Sequence, residues 1–327
     1  MAEASGNGAV PAVTIAADHL SVAVGAVEIA RYVFRPVAPV TESVKPYMFP
    51  LRSLRGAPLS AYRPWDHRWH KGLQLTLSHL SGENFWGGPT FDPTVTDPPH
   101  GYVQRDNNGR QRHEGFDLIA GGAAAPPGAA IVRERLTWLT AGGRAWLAER
   151  RTLRVHGVDP AADTWALDVA SRLTNLRDRP LVVGSPTTLG RLRAGYTGLF
   201  WRGPRAWTGG DVLTPAGPGD EDGAMGSTGE WLAVAGDHDE IDGGGTVLMF
   251  AGRSSAPVPV RWFVRTSAFP ALCPSPAFDT AFTLTPGATW ALWHRVVLAG
   301  HRCDAPAAAA LADRYRPGAG AAGPELP

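Results

Sequence analysis

Residues 130–156, AIVRERLTWLTAGGRAWLAERRTLRVH, contain two strand-like runs on either side of an Ala-Gly-Gly sequence at positions 141–143. A short connection that contains glycine between two such runs is typical of a β-hairpin. Upstream, β-branched runs between residues 13 and 34 are separated by turn residues, and LQLTLSHL at positions 73–80 alternates leucine with other residues at the period of a half-buried strand. These patterns predict antiparallel β-structure.

The rest of the chain repeats this alternation of strands and turns. The run TWALDVASRLTNL places Trp165, Leu167, Val169 and Leu173 on one face of a predicted strand. Four more strand-like runs lie between residues 247 and 299. Turn signals about every eight to twelve residues and almost no helical periodicity indicate an all-β fold, a large antiparallel β-sandwich.

The chain is predicted to form one domain, because no change of composition marks a second one. We expect the β-sandwich to span residues 11–303 and one short C-terminal helix to follow at 304–315, with Asp304 as N-cap and a proline in the first turn. Residues 1–10 and residues 316–327 are predicted to be disordered. The segment 208–229, rich in glycine, is predicted to be a mobile loop.

Composition limits the classes of partner. The 31 basic and 30 acidic residues nearly cancel, which gives no electrostatic reason to expect nucleic acid or an anionic membrane as a partner. The two cysteines, Cys273 and Cys303, are too few for a disulfide framework, and no targeting segment or membrane-length apolar window is present. Nucleotide-binding, zincin and serine-hydrolase motifs are also absent. We expect a soluble, cytoplasmic protein that binds a small molecule.

The stretch from Lys45 to Trp86 has the composition of a site. It places titratable side chains next to aromatic ones around a proline, which is typical of a loop that leads into a strand. Flat aromatic faces bind sugars, and a histidine paired with a carboxylate transfers protons near neutral pH. We therefore predict a carbohydrate site in this stretch, where Asp66, His67 and His70 are flanked by Arg52, Arg63, Arg68 and Lys71 and interleaved with Tyr47, Trp65, Trp69 and Trp86.

The predicted chemistry divides two roles between neighbouring groups. His67 or His70 is the candidate acid, and Asp66 or Glu114 is the candidate base or the residue that orients an imidazole. His113, beside Glu114, is a further catalytic candidate. Arg52 and Arg202 are candidates for holding hydroxyls, a carboxylate or an enolate, and Trp69, Trp86 and Trp201 for stacking on a sugar.

Structural alternatives accompany these candidates. The two histidines of the site stretch also fit a turn held by Asp66, and His113 with Glu114 and Arg202 with Arg205 fit solvated surfaces. His294 lies on an apolar face, which favours a hydrogen-bonded core histidine. Core packing is the expectation for Trp138, Trp165, Trp290 and Trp293.

Several motifs together resemble the PmoA-like family, whose members are labelled "methane oxygenase PmoA". The resemblance runs discontinuously from about residue 40 to 300, through KPYMFPLRS at 45–53, RPWDHRWHKGL at 63–73, GENFWG at 82–87, a later His113, GYTGLFWRGPR at 195–205, PVRWFVR at 259–265 and LWHRVVLAG at 292–300. It implies a β-rich protein associated with sugar metabolism and sugar oxidoreductases. The implied architecture is the galactose-mutarotase supersandwich, whose concave face binds pyranoses.

The family motif positions carry over to the following residues: Lys45, Tyr47, Arg52, Asp66, His67, His70, Trp86, His113, Tyr196, Arg202 and Arg265. Arg68 and Lys71 depart from the expected pattern by adding positive charge around the two histidines. That departure favours a uronate or a phosphorylated sugar as the ligand.

Three functional interpretations follow. The first is an enzyme of the epimerase or lyase type that acts on a sugar or an oxidised sugar. The second is a non-catalytic carbohydrate-binding or scaffold protein that partners a sugar oxidoreductase or forms a homo-oligomer. No cofactor is predicted, but a third interpretation places a divalent metal on His67, His70 and His113.

Overall fold

The computed structural model describes residues 10–95 and 101–318. In these ranges the chain consists mostly of β-strands joined by turns, which confirms the predicted all-β class. The ends predicted to be disordered fall largely on residues 1–9 and 319–327, outside the described residues. None of the described helices has the length and apolar character needed to cross a membrane.

Twenty-two strands form in the described ranges: β1 (Ala12–Ile15), β2 (His19–Val24), β3 (Val27–Val33), β4 (Tyr47–Leu51), β5 (Leu73–Thr76), β6 (His79–Leu80), β7 (Thr90–Phe91), β8 (Tyr102–Val103), β9 (Arg110–Ala120), β10 (Ala130–Leu139), β11 (Ala145–Asp159), β12 (Thr164–Asn175), β13 (Leu181–Gly184), β14 (Gly198–Arg202), β15 (Asp211–Thr214), β16 (Gly217–Gly219), β17 (Trp231–Asp237), β18 (Gly244–Ser254), β19 (Arg261–Arg265), β20 (Ala271–Ser275), β21 (Phe282–Leu284) and β22 (Thr289–Ala299). Two helices accompany them, α1 (Glu221–Ala224) and α2 (Ala305–Tyr315).

Two large antiparallel sheets contain most of these strands. The nine-stranded sheet has the order β16-β15-β17-β18-β22-β12-β11-β10-β9, and the eight-stranded sheet has the order β1-β2-β3-β4-β5-β14-β20-β19. The predicted hairpin is confirmed, because β10 pairs with β11 from Ala130 opposite Val155 to Leu139 opposite Ala145. A small sheet, β21-β13-β6, and the pair β7-β8 complete the strand pairing.

The main core lies between the two large sheets. Successive side chains of a strand point to opposite faces, and Trp165, Leu167, Val169 and Leu173 of β12 all pack in this core, as the sequence predicts. Burial of the four candidate core tryptophans and of His294 is also confirmed. Apolar packing between two sheets is therefore the dominant stabilising contribution to the fold.

Each large sheet also carries an apolar cluster on its outer face. On β14, Leu199 and Trp201 point into the main core, while Phe200 points outward and packs with Phe263 of β19. The outer face of the nine-stranded sheet instead packs against α2. The molecule thus has two covered outer faces on opposite sides of the main core.

The C-terminal helix forms where the sequence predicts it. The Asp304 carboxylate accepts a hydrogen bond from the Ala307 backbone N–H at 2.9 Å, which caps the first turn. At the other end of the helix, the Tyr315 hydroxyl donates to the Gly157 carbonyl at 2.6 Å. Burial of Leu311 and Tyr315 against the sheet fixes the helix in place.

Two expectations about local structure are wrong. Residues 73–78 are buried on both faces rather than half-buried, because the loop 52–72 covers their outer side and the Trp69 carbonyl accepts a hydrogen bond from Gln74 Nε2 at 3.1 Å. The segment 208–229 is not an irregular loop, because it forms β15, β16 and the one-turn helix α1. The Asp220 carboxylate caps that helix.

Candidate functional site

A pocket of about 450 Å³ opens on the outer face of the eight-stranded sheet, beside β14 and β19. Phe200 of β14 and Phe263 of β19 lie at its wall, because strand alternation turns these side chains away from the main core. Arg265 also lies on β19 and Tyr102 lies on β8, and loops supply the remaining lining groups. The lining residues are His67, Trp69, His70, Trp86, Gly87, Pro89, Tyr102, Arg191, Arg193, Ala194, Tyr196, Phe200, Phe263, Arg265 and Phe269.

Two histidines from one loop lie together at this pocket. The backbone N–H of His67 donates to the Pro64 carbonyl at 3.0 Å, and the backbone N–H of His70 donates to the His67 carbonyl at 2.9 Å. These two successive turns bring both side chains to one side of the loop. The His67 and His70 rings are stacked, with centroids 4.8 Å apart and an interplanar angle of 23°. Both histidines line the pocket.

A buried arginine fixes the tautomer of His70. Arg202 Nη1 lies 3.2 Å from His70 Nδ1, and a guanidinium only donates hydrogen bonds. Nδ1 must therefore be the unprotonated nitrogen, and Nε2 carries the proton of the neutral ring. Burial lowers the pKa of His70 well below its usual range, and the neighbouring His67 ring and the charge of Arg202 lower it further. His70 is neutral at pH 7.

Arg202 itself has few partners. Its side chain is 0% exposed, its guanidinium carbon lies 3.9 Å from the centroid of the Phe269 ring, and its Nε and Nη2 have no hydrogen-bond partner among the described residues. Burial lowers the pKa of Arg202 to about 10, and Asp66 opposes this shift. A positive charge therefore lies directly behind the histidine pair, so we expect it to favour negative charge that develops in the pocket.

Asp66 acts on the other histidine. Its Oδ2 lies 3.4 Å from His67 Nδ1, and its Oδ1 accepts a hydrogen bond from Arg205 Nη2 at 2.9 Å. Burial would raise the pKa of Asp66, but its own backbone N–H and the charges of His67 and Arg205 lower it. The carboxylate is thus ionised and favours a proton on His67 Nδ1, which leaves Nε2 as the basic nitrogen.

His67 is also neutral at pH 7. Burial lowers its pKa below the usual value, and the Asp66 charge offsets only part of this effect. His67 Nδ1 is buried and has no hydrogen-bond partner in the part of the chain that the structure describes. The Asp66 charge favours a His67 tautomer with a free Nε2 lone pair, opposite to that of His70, whose Nε2–H is a donor.

Aromatic side chains form the walls of the pocket. Trp86 packs on Tyr196 and Phe200, with centroid distances of 4.7 and 4.6 Å, and the Tyr196 and Tyr102 hydroxyls are 2.6 Å apart. Gly88 is required beside Trp69, because a Cβ at this position would lie 2.7 Å from the indole ring and its φ is +69°. These flat surfaces fit the apolar faces of a sugar ring.

Three arginines lie on the remaining side of the pocket. Arg265 Nη1 donates to Glu221 at 2.6 Å and its Nη2 donates to the Arg193 carbonyl at 3.1 Å. The Arg193 side chain pairs with Asp222. The Arg191 guanidinium stacks over the Tyr102 ring, 4.4 Å from its centroid.

The structure brings together eight of the predicted site residues. Six line the pocket, namely His67, Trp69, His70, Trp86, Tyr196 and Arg265, and two support the histidines from behind, namely Asp66 and Arg202. Tyr102, Arg191, Arg193, Phe200, Phe263 and Phe269 also line the pocket and were not among the predicted site residues. The sequence signal for the arginines and phenylalanines is their place in aromatic and basic runs, and the signal for Tyr102 is its place in a long segment rich in Pro, Asp, Asn and Gly.

Two predicted catalytic residues lie elsewhere. His113 is on β9 of the nine-stranded sheet, where its Nδ1 lies 2.6 Å from Glu134 Oε1. Glu114 pairs with Arg112 on the same strand. This placement corrects the expectation that His113 joins the other two histidines. In the described ranges, no group of three or more His, Cys, Asp or Glu residues is arranged to hold a metal ion.

Four predicted binding residues have structural contacts instead. Lys45 is buried, and its Nζ donates to the carbonyls of Glu42, Ser43 and Trp86, so it fixes the loop that carries the Trp86 ring. The other three also lie outside the pocket: the Tyr47 hydroxyl contacts Tyr62, Arg52 contacts Glu28, and Trp201 is in the main core, where its Nε1 donates to the Leu59 carbonyl.

Comparisons with known proteins add a family assignment. Residues 19–313 match the model of a family described as "Family of unknown function (DUF6807)". No curated protein matches the chain. Among solved structures, the chain is similar to the galactosidase domain of an alpha-galactosidase-sucrose kinase, AgaSK, with 11% identity, a TM-score of 0.43, and coverage of 88% of this chain and 41% of that one.

A second solved structure is the heparan sulfate lyase HepC from Pedobacter heparinus. It has 9% identity to this chain and a TM-score of 0.36, and the match covers 87% of this chain and 34% of that one. The chain thus spans well under half of the length of both of these proteins.

Proposed function

Because the chain belongs to the DUF6807 family, whose description assigns no activity, we propose a function from the pocket itself. We propose that the protein is a carbohydrate-active enzyme that uses acid–base chemistry on a sugar or an oxidised sugar. The observation that carries this proposal is the stacked pair His67 and His70, held in opposite tautomers at a pocket with aromatic walls. The resemblance to the PmoA-like family and the mutarotase-like architecture that it implies remain predictions consistent with this function.

The base in this proposal is His67. Its Nε2 lone pair removes a proton from a sugar carbon next to a carbonyl or carboxyl group, and the resulting imidazolium is stabilised by Asp66. This arrangement uses a neutral histidine as a base near neutral pH, where the lowered pKa of His67 keeps its ring unprotonated.

The electrophile is His70. Its Nε2–H donates a hydrogen bond to the oxygen on which negative charge develops and keeps its own proton, because a neutral imidazole is a weak acid. The Arg202 charge behind the ring strengthens this donor. In an elimination, the proton held by His67 then passes to the leaving oxygen as the carbon–oxygen bond breaks. In an epimerisation, the carbon instead takes a proton from solvent on its opposite face, and His67 releases its own proton to solvent.

A second candidate is a non-catalytic carbohydrate-binding protein that partners a sugar oxidoreductase. The observation that favours it is the exposure of two large apolar side chains close in sequence to pocket residues. Trp65, two residues before His67, is 80% exposed, and Leu192, between Arg191 and Arg193, is 84% exposed. Exposed large apolar side chains of this kind are candidates for contact with a partner protein.

Turnover measured by NMR distinguishes the two candidates. The protein is incubated with a panel of aldoses, uronates and ketosugars, and proton exchange at carbon, epimerisation and elimination are followed. We expect conversion of at least one sugar that the His67→Gln and His70→Gln variants do not convert, while the His301→Gln variant, altered at an exposed histidine outside the pocket, retains it. Circular dichroism verifies that the variants fold.

Two other outcomes would contradict the enzyme proposal or the assigned histidine roles. If a sugar binds to the protein but no member of the panel exchanges a proton or changes structure, the enzyme proposal fails and the binding candidate stands. If conversion occurs and is unchanged in both histidine variants, the assigned roles are wrong.

A further inference from the structure

The pocket shows an excess of positive charge. We infer that its ligand is an anionic sugar, one with a carboxylate or a phosphate group, and that Arg191, Arg193 and Arg265 receive the anion; this inference rests on the proposed carbohydrate function. The three guanidinium groups lie on one side of the pocket, and no aspartate or glutamate is among the described lining residues. The two lining histidines do not supply a negative charge either.

The charges of the three arginines are compensated to different extents. Glu221 and Asp222 of helix α1 pair with Arg265 and Arg193 from outside the pocket lining. Arg191 makes no ion pair with the residues that the structure describes, and its guanidinium instead lies over the Tyr102 ring in the pocket wall. An anionic ligand would complete the pairing of this side of the pocket.

The arginines are also held in place before a ligand binds. The Glu221 carboxylate that holds Arg265 accepts hydrogen bonds from the backbone N–H groups of Thr266 and Ser267, each at 2.9 Å. Arg193 has a left-handed backbone with φ of +58°, a conformation that residues other than glycine adopt only at an energetic cost. Strained backbone of this kind is concentrated at ligand-binding positions.

The position of this charge also fits the proposed chemistry. The arginines and the histidine pair line the same pocket, so one sugar can contact both. An ion pair with a carboxylate withdraws negative charge from the neighbouring carbon and makes its proton easier for His67 to remove. A uronate would therefore use both halves of the pocket.

Equilibrium binding by calorimetry tests the inference on the full chain. The probes are glucuronate and galacturonate, a hexose phosphate, and the neutral sugars glucose and galactose. We expect at least one anionic sugar to bind about tenfold or more tightly than its neutral counterpart, a difference of about 1.4 kcal/mol, because hydrogen bonds to charged groups are stronger than those between neutral groups. A preference for the uronates identifies a carboxylate, and a preference for the hexose phosphate identifies a phosphate.

Variants assign this preference to the pocket. Arg191→Gln is expected to reduce the anionic preference by about tenfold. Arg179→Gln, which alters an exposed arginine paired with Asp178 outside the pocket, is expected to leave it unchanged. Equal affinity for neutral and anionic sugars overturns the inference and leaves the proposed function standing, whereas binding of no sugar overturns both. If the preference for anionic sugars is unchanged in both the Arg191→Gln and the Arg193→Gln variant, the assignment of these arginines as the anion site is also overturned.

Discussion

Asp66→Asn should lower the pKa of His67, because it removes the negative charge that stabilises the protonated ring. The two groups are separated by 3.4 Å, between Asp66 Oδ2 and His67 Nδ1. At this distance two unit charges interact by about 1 kcal/mol in a water-like dielectric and by about 5 kcal/mol at an effective dielectric constant of about 20. The side chains are 23% and 33% exposed, so solvent screening favours the smaller value. The pKa should therefore fall by about one.

NMR titration of the histidine ring nitrogens measures this pKa without knowledge of the substrate. Arg205→Gln is the matched control, because the Arg205 charge lowers the pKa of His67 and its removal should raise it. The two variants disrupt the same ion pair, between Asp66 and Arg205 at 2.9 Å, but they should shift the pKa of His67 in opposite directions. If the pKa of His67 is unchanged or higher in Asp66→Asn, Asp66 does not control this imidazole and the assignment of His67 as base is refuted.

Three further predictions concern stability and the pocket walls. Lys45→Met should reduce the free energy of unfolding in urea by about 3 kcal/mol, because three backbone carbonyls lose their donor. A reduction smaller than about 0.5 kcal/mol would contradict the structural role of Lys45. Burial lowers the pKa of His294 to about 4, so the unfolded state binds more protons and stability falls as the pH decreases from about 6.5 to 4. His294→Met should remove about 3 kcal/mol of this pH dependence of the free energy of unfolding. An unchanged pH profile in the variant would exclude His294 as its source. Gly87→Ala should weaken ligand binding, because a Cβ at this position would lie 2.7 Å from Trp69. Gly217→Ala is the control and should leave binding unchanged, because Gly217 has a similar φ but no atom within 4 Å of the added Cβ. Equal ligand affinities in the two variants would contradict the predicted effect of the collision with Trp69.

The strands and the histidine pair were predictable because their signals are local. A glycine turn between two strand-like runs predicts a hairpin, and β10 and β11 form it. Asp66, His67 and His70 lie within one short loop, so their chemistry could be read together from the sequence. Local spacing is sufficient when the interacting residues belong to the same turn.

The remainder of the pocket depends on pairing between distant segments. Arg191 and Tyr102 meet only because two separate loops lie over the eight-stranded sheet, and no spacing in the sequence encodes that contact. His113 illustrates the same limit in the other direction. Its partner Glu134 is on the neighbouring strand β10, so the chemically attractive neighbour Glu114 was a misleading guide.

The separation of α2 from the pocket has a practical consequence. The helix packs on the outer face of one large sheet and the pocket opens on the outer face of the other. A surface linker attached just beyond Tyr315 would therefore anchor the molecule to a biosensor chip by its rear side. The mouth of the pocket would then face the flowing solution.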